Sequence, residues 1–200
     1  MDATSPTGPY NVNESTQSAN VKTYFETAGV PSDQVGEVQA TYQSGLMGGS
    51  VAERAPMQFT LESITPILRR RISGVLVVES EAWAKMNANG DVEMECVFWP
   101  SLDKTVVDQA VAWSQSFGNT ATHAAFTAKL GLAVTREVGI VIHHSDRSVH
   151  SQPVAYASYD AVIGSEASAA ARHFDENGIE FRLPQEIAPA PTSVPTRSGR

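Results

Sequence analysis

With 200 residues, 42% of them hydrophobic, the chain can bury one substantial core or two small ones, and it is too apolar to be a disordered polymer. Its formal net charge of -8 opposes the phosphate backbone of nucleic acids and anionic membrane surfaces, both of which require clustered Lys and Arg. No stretch approaches the roughly 20 consecutive apolar residues of a membrane span, so neither nucleic acid nor membrane insertion is expected.

Residues 1–14 are rich in Thr, Ser, Pro, Gly and Asn, and residues 188–200 are rich in Pro, Ser and Thr, so both read as flexible tails. Between them, Val21, Tyr24, Phe25 and Ala28 recur at helical spacing, with Ser15 or Ser18 as N-cap and Gly29 and Pro31 as the stop. Val35 and Val38 mark a strand from Gln34 to Tyr42, followed by a Gly-rich loop over Ser44 to Ser50. Phe59, Leu61 and Ser63 alternate with polar neighbours, and the alternation resumes after Pro66 through Leu68, Arg70 and Ile72. Pro66 implies an edge or a bulge, and Arg69, Arg70 and Arg71 read as charges on a wet strand face. Gly74 ends this run, and the next strand extends from Val75 to Met86.

The Asn89-Gly90 pair is the strongest local signal, because Asn-Gly adopts the positive φ angles of a tight hairpin. In the returning strand, Asp91 to Trp99, simple alternation puts Val92, Met94, Cys96 and Phe98 on a buried face and Asp91, Glu93 and Glu95 on a wet one. Cys96, the single cysteine, then falls in the core and cannot form an intramolecular disulfide.

After Pro100, Ser101 or Asp103 caps a helix carrying Val106, Ala110, Trp113, Ser114 and Phe117, which ends at Gly118. A second helix spans Thr120 to Leu130. Val134 to His143 and Pro153 to Ile163 read as strands joined by a polar loop, Ser145 to Gln152. Ser165 to Asn177 reads as an Ala-rich helix stopped by Gly178, and Ile179, Phe181 and Leu183 as a last short strand. The fold expected is α+β, with helices packed on antiparallel β-meander sheets in two similar halves. The boundary falls near Pro100: residues 15–100 form one α+β unit, and 101–187 form either a second one or a continuation of the same sheet.

The segment from Arg71 to Ser80, followed by Asn87, the Asn89-Gly90 turn and Val92, resembles the signature of PepSY and FTP propeptide-type domains over roughly residues 19–99. That resemblance implies an exported protein-binding or inhibitory module, although Met1 to Pro6 lack the basic and apolar regions of a signal peptide.

Chemistry-bearing residues are sparse. His143 to His150 holds the densest set, in which His144, Asp146 and His150 are candidate metal ligands and a solvated hairpin loop is the plainer reading. His123, His173 and many serines are available for a catalytic triad, but no Gly-x-Ser-x-Gly turn is present. Glu79 with Glu81, and Glu93 with Glu95, read as solvated strand faces rather than acid–base pairs. Met47 to Ser50 lacks the lysine of a nucleotide-binding loop, and no cofactor is expected. Trp83 and Trp99, with Glu93 and Glu95, are the candidate surface for a protein partner. The expected function is a non-catalytic protein-binding or inhibitory module. The alternatives are a small metal-dependent hydrolase built on His143 to His150 and a structural subunit of a larger assembly.

Overall fold

The computed structural model describes residues 10, 12–47, 58–131, 134–145, 153–163 and 170–183. The expected C-terminal tail, most of the N-terminal one, residues 48–50 of the Gly-rich loop and most of the 145–152 loop lie outside these residues, with Asp146 and His150 among them, whereas Ser44 to Met47, expected in that Gly-rich loop, are strand because they pair with Leu61 to Gln58. The described elements form an α+β fold, helices on a mostly antiparallel sheet.

The first helix, α1 (Glu14–Thr27), is capped by Asn13, whose side chain accepts the Thr16 N–H at 3.0 Å. Ser15 and Ser18 therefore lie inside the helix. Its buried side chains Gln17, Val21 and Phe25 recur every four residues, and the last two enter a core with Leu68, Ala82, Ala84 and Met86.

That core lies on β1 (Val35–Met47), β2 (Gln58–Ile72) and β3 (Val75–Met86), an antiparallel meander. Pro66 pairs with Ala40 of β1, and the β2–β3 ladder begins one residue later at Ile67, so the missing proline N–H lies beyond that ladder. The β2–β3 link is a two-residue turn in which both Ser73 (φ 49) and Gly74 (φ 89) are left-handed. The β3–β4 link differs from the tight turn expected at Asn89-Gly90. There only Gly90 (φ 88) is left-handed, the Gly90 N–H bonds to the Asn87 carbonyl at 3.1 Å, and the loop is one residue longer.

Asn87 holds this loop. Its buried Oδ1 accepts the N–H groups of Asn89 (2.9 Å) and Asp91 (3.0 Å), and its Nδ2 donates to Asp91 Oδ2. Asn87→Ala is expected to cost about 1 to 2 kcal/mol by freeing those groups. Urea denaturation reads the loss, and an unchanged midpoint would mean that Gly90 alone fixes the turn.

The strand β4 (Val92–Phe98) reverses the expected assignment of faces. A register shift between Met86↔Val92 and Lys85↔Met94 leaves Glu93 as an extra residue. Val92 still packs on the α1 core, but Met94 and Cys96 then point to the other face. Met94 is 59% exposed and Cys96 is exposed rather than buried. The bulge is the cause: one added residue inverts every side chain after it.

Two helices follow, α2 (Lys104–Ser116) and α3 (Thr120–Leu130), capped by Asp103 and Asn119. They lead into β5 (Val134–His144), β6 (Ala155–Ile163), β7 (Ala170–Phe174) and β8 (Glu180–Phe181). The sheet order is β1-β2-β3-β5-β6-β7-β8, with β4 paired to β3 beyond the point where β5 leaves it. Residues 170–174 are thus a strand, not the Ala-rich helix expected over 165–177. Alanine's helical preference amounts to only a few tenths of a kcal/mol per residue. Pairing with β6 buries Phe174 against Tyr159 and sets His173 opposite Asp160, which outweighs it.

Candidate metal centre

The two parts of the sheet meet at a narrow seam. β3 and β5 are parallel and pair through Leu76↔Val141 and Val77↔Ile142. Just past them the β2–β3 register jumps from Arg70↔Val77 to Arg69↔Glu81, so Val78, Glu79 and Ser80 bulge out of the ladder. β4 takes over as neighbour of β3 at Glu81. Alternation splits the arginine run: Arg70 shares the β2 face of Leu68 and is buried rather than wet. Its guanidinium bonds to Gln34 Oε1 and the Pro100 carbonyl and stands over the Trp99 ring. Arg69 pairs with Glu81.

The side chains of that bulge bond to the end of β5. Glu79 Oε1 accepts from His143 Nδ1 at 2.8 Å, and Glu79 Oε2 accepts the His144 backbone N–H at 2.9 Å. Ser80 Oγ lies 3.1 Å from His144 Nε2.

Alternation along β5, β6 and β7 then builds a polar cluster on the face turned away from α2 and α3. Ile142, Tyr159 and Phe174 pack in the helix-side cores, so His143, Ser158, Asp160 and His173 point the other way. His143 Nε2 meets Asp160 Oδ2 at 2.8 Å, and His173 Nδ1 meets Asp160 Oδ1 at 2.9 Å. Ser158 Oγ donates to the same Oδ1 at 2.6 Å. The potential ligand atoms of His143, Asp160 and His173 all lie within 4.8 Å of one another. These three residues are 3%, 5% and 5% exposed, so the cluster is closed to bulk solvent.

Carboxylates can only accept, and His143 has one at each nitrogen, so in this arrangement its ring is the doubly protonated imidazolium. Burial alone would lower its pKa, but hydrogen bonds and charge from Asp160 and Glu79 outweigh burial and lift it to about 9. Burial likewise pushes Asp160 up, and the bonds from His143, His173 and Ser158 bring it down to about 2. Glu79 is also lowered, its burial outweighed by His143 and the His144 N–H. His144 differs: burial and the nearby cations Arg70 and His143 lower its pKa against the pull of Glu79. Its ring stays neutral, packed edge-on to Phe98, and its buried Nδ1 has no hydrogen-bond partner among the described residues.

Of the ligands expected from sequence, His144 is described, and its ring faces Ser80 rather than the cluster. The centre instead unites His143 with Asp160 and His173, three residues on three adjacent strands. Asp160 left a sequence signal: it is one carboxylate in the otherwise apolar run Tyr159 to Ile163, and a charge at such a position needs a partner. Its partners become visible only with the strand register. The Ser80–His144 pair has the first two members of a triad, but among the described residues no carboxylate orients His144 Nδ1, and both residues are 0% exposed. His123 lies elsewhere, bonded to Glu137, which also accepts from the Tyr159 hydroxyl.

The candidate partner surface is divided. Glu95 lies across from Ala84 on the α1 face and accepts from Tyr24 at 2.6 Å, while Glu93 accepts from Tyr10. Trp99 packs against the α1 core. Trp83, opposite Cys96, points to the other face, so the two tryptophans do not share a patch. Compared with protein-family models, curated proteins and solved structures, the chain matches none of them.

Proposed function

We propose that this chain is a non-catalytic metal-binding protein that holds one first-row divalent ion between His143 Nε2, a carboxylate oxygen of Asp160 and His173 Nδ1, the ion displacing to solvent the proton that His143 Nε2 otherwise shares with Asp160. The observation that supports it is the closed His–Asp–His cluster, in which His143 turns Nε2 inward while Glu79 holds Nδ1. Carboxylate support of a ligating imidazole is the usual arrangement around protein-bound zinc, because it fixes the ring and raises its basicity. Two imidazole nitrogens with one carboxylate suit zinc, iron(II), cobalt or nickel better than the oxygen-seeking calcium and magnesium. Burial supports the non-catalytic role: a catalytic ion keeps a coordination position open to substrate, and this cluster is nearly closed.

The test is zinc titration of untagged, chelator-treated protein, with bound metal measured after desalting. About one equivalent is expected for the wild type, and Asp160→Asn or His173→Gln should weaken binding at least about 10-fold. A folded wild type that retains well under one equivalent would overturn the proposal, as would binding indifferent to both substitutions.

A further inference from the structure

We infer that the ion, acting through Glu79, locks the seam between the two parts of the sheet, so that metal loading governs whether β3 and β5 stay joined. This rests on the metal-binding reading above and adds a consequence for the fold.

The backbone ladder across the seam is two residue pairs long. What continues it is the Glu79 carboxylate, one oxygen on the His143 ring and the other on the His144 N–H, contacts between residues 64 and 65 positions apart in sequence. The same carboxylate is thus both the support of a metal ligand and a substitute for missing ladder bonds. His143 is the common member. Its Nε2 faces Asp160 and, through that carboxylate, His173, so an ion at the cluster ties β5 to β6 and β7 while Nδ1 ties β5 to β3.

The coupling follows from linkage. Opening the seam separates Glu79 from His143 and removes the support of the ligand. Loss of such a support weakens metal affinity by about 10- to 100-fold. The loaded protein must therefore open its seam about 10- to 100-fold less often than the ion-free protein, because any motion that weakens binding is suppressed by the same factor. Glu79 is on this account a positioning residue, acting on the ion through His143.

Hydrogen exchange on the full chain tests this, with and without saturating zinc, and metal content measured on the same samples. Exchange of the His144 amide and of the segment 76–80 should slow about 10- to 100-fold with zinc, while the β1–β2 hairpin changes little. In Glu79→Gln, cobalt should give the same absorption spectrum as in the wild type, showing an unaltered ligand set, yet zinc should no longer slow the seam. If the wild type binds one equivalent and its seam amides exchange at the same rate, the inference fails and the metal reading stands. If Glu79→Gln keeps the full zinc-dependent slowing, Glu79 is not the link and the inference also fails. If the wild type binds no ion, both fall together, and the metal assay identifies that case. The wild-type comparison alone decides the matter should the variant not fold.

Discussion

Replacing His143 with alanine is expected to destabilise the ion-free protein by about 3 to 5 kcal/mol, the usual cost of removing one partner from a buried ion pair. The size comes from what remains. Glu79 and Asp160 lose the cation they share, and their side chains are 12% and 7% exposed, so water cannot replace it. Two carboxylates would have to take up protons or admit solvent, and either breaks the packing around β5. For a chain of this length, each kcal/mol lowers the melting temperature by roughly 2 to 4 °C, so a fall on the order of 10 °C is expected. Thermal denaturation in chelator reads it. The double variant His143→Ala with Asp160→Asn should recover part of the loss, since it removes one stranded charge. A single variant that melts within a degree or two of the wild type would mean that the clamp adds nothing to stability.

The second large effect is on pH. His143 has its pKa raised from 6.5 to about 9, so its contribution is fully present below pH 6.5 and disappears as pH rises through 9. Asp160 is displaced the other way, from 3.8 to about 2, so its contribution is present above pH 3.8 and disappears as pH falls toward 2. Between those limits the ion-free protein should show a plateau. On the alkaline side, urea denaturation should record a loss on the order of 3 kcal/mol between pH 6.5 and 9. Because His143 and Asp160 hold each other's charge, the two flanks are one interaction broken from opposite ends. His143→Ala should flatten the alkaline flank. A wild-type protein equally stable at pH 6.5 and 9 would contradict the imidazolium assignment.

Local periodicity placed most elements within a few residues. The α1 stripe of Val21 and Phe25, the spans of α2 and α3, and the strands around Leu68, Val77 and Ile142 all follow from spacing and from end signals such as Asp103 and Gly118. Bulges are what spacing conceals. The extra residue at Glu93 turned Cys96 outward, and the bulge at Val78 to Ser80 carried Glu79 to the end of β5. Each is a tertiary accommodation with no distinctive residue to announce it. The strand at Ala170 to Phe174 is hidden for a related reason: its alanines carry a weak local helical preference, which pairing to β6 overrides. The candidate metal centre was half legible. His143 and His144 stand out in the chain, and their neighbours in sequence lead toward His150, whereas the partners of His143, Asp160 and His173, approach across the sheet. Chain proximity and ladder proximity are different neighbourhoods, and buried sites in sheets use the second.

The two-pair seam also bears on how the chain folds. The strands β1 to β4 form hairpins between near neighbours in sequence, and so do β5 to β8, so each group closes only short loops. The parallel β3–β5 pairing must instead close a long loop containing β4, α2 and α3, an entropic cost met before any contact offsets it. Contacts of that kind form late and set the folding rate. The two hairpin groups are therefore expected to form first and their junction last, with the junction first to part in native-state fluctuations, an order that pulse-labelling hydrogen exchange of the His144 amide would read.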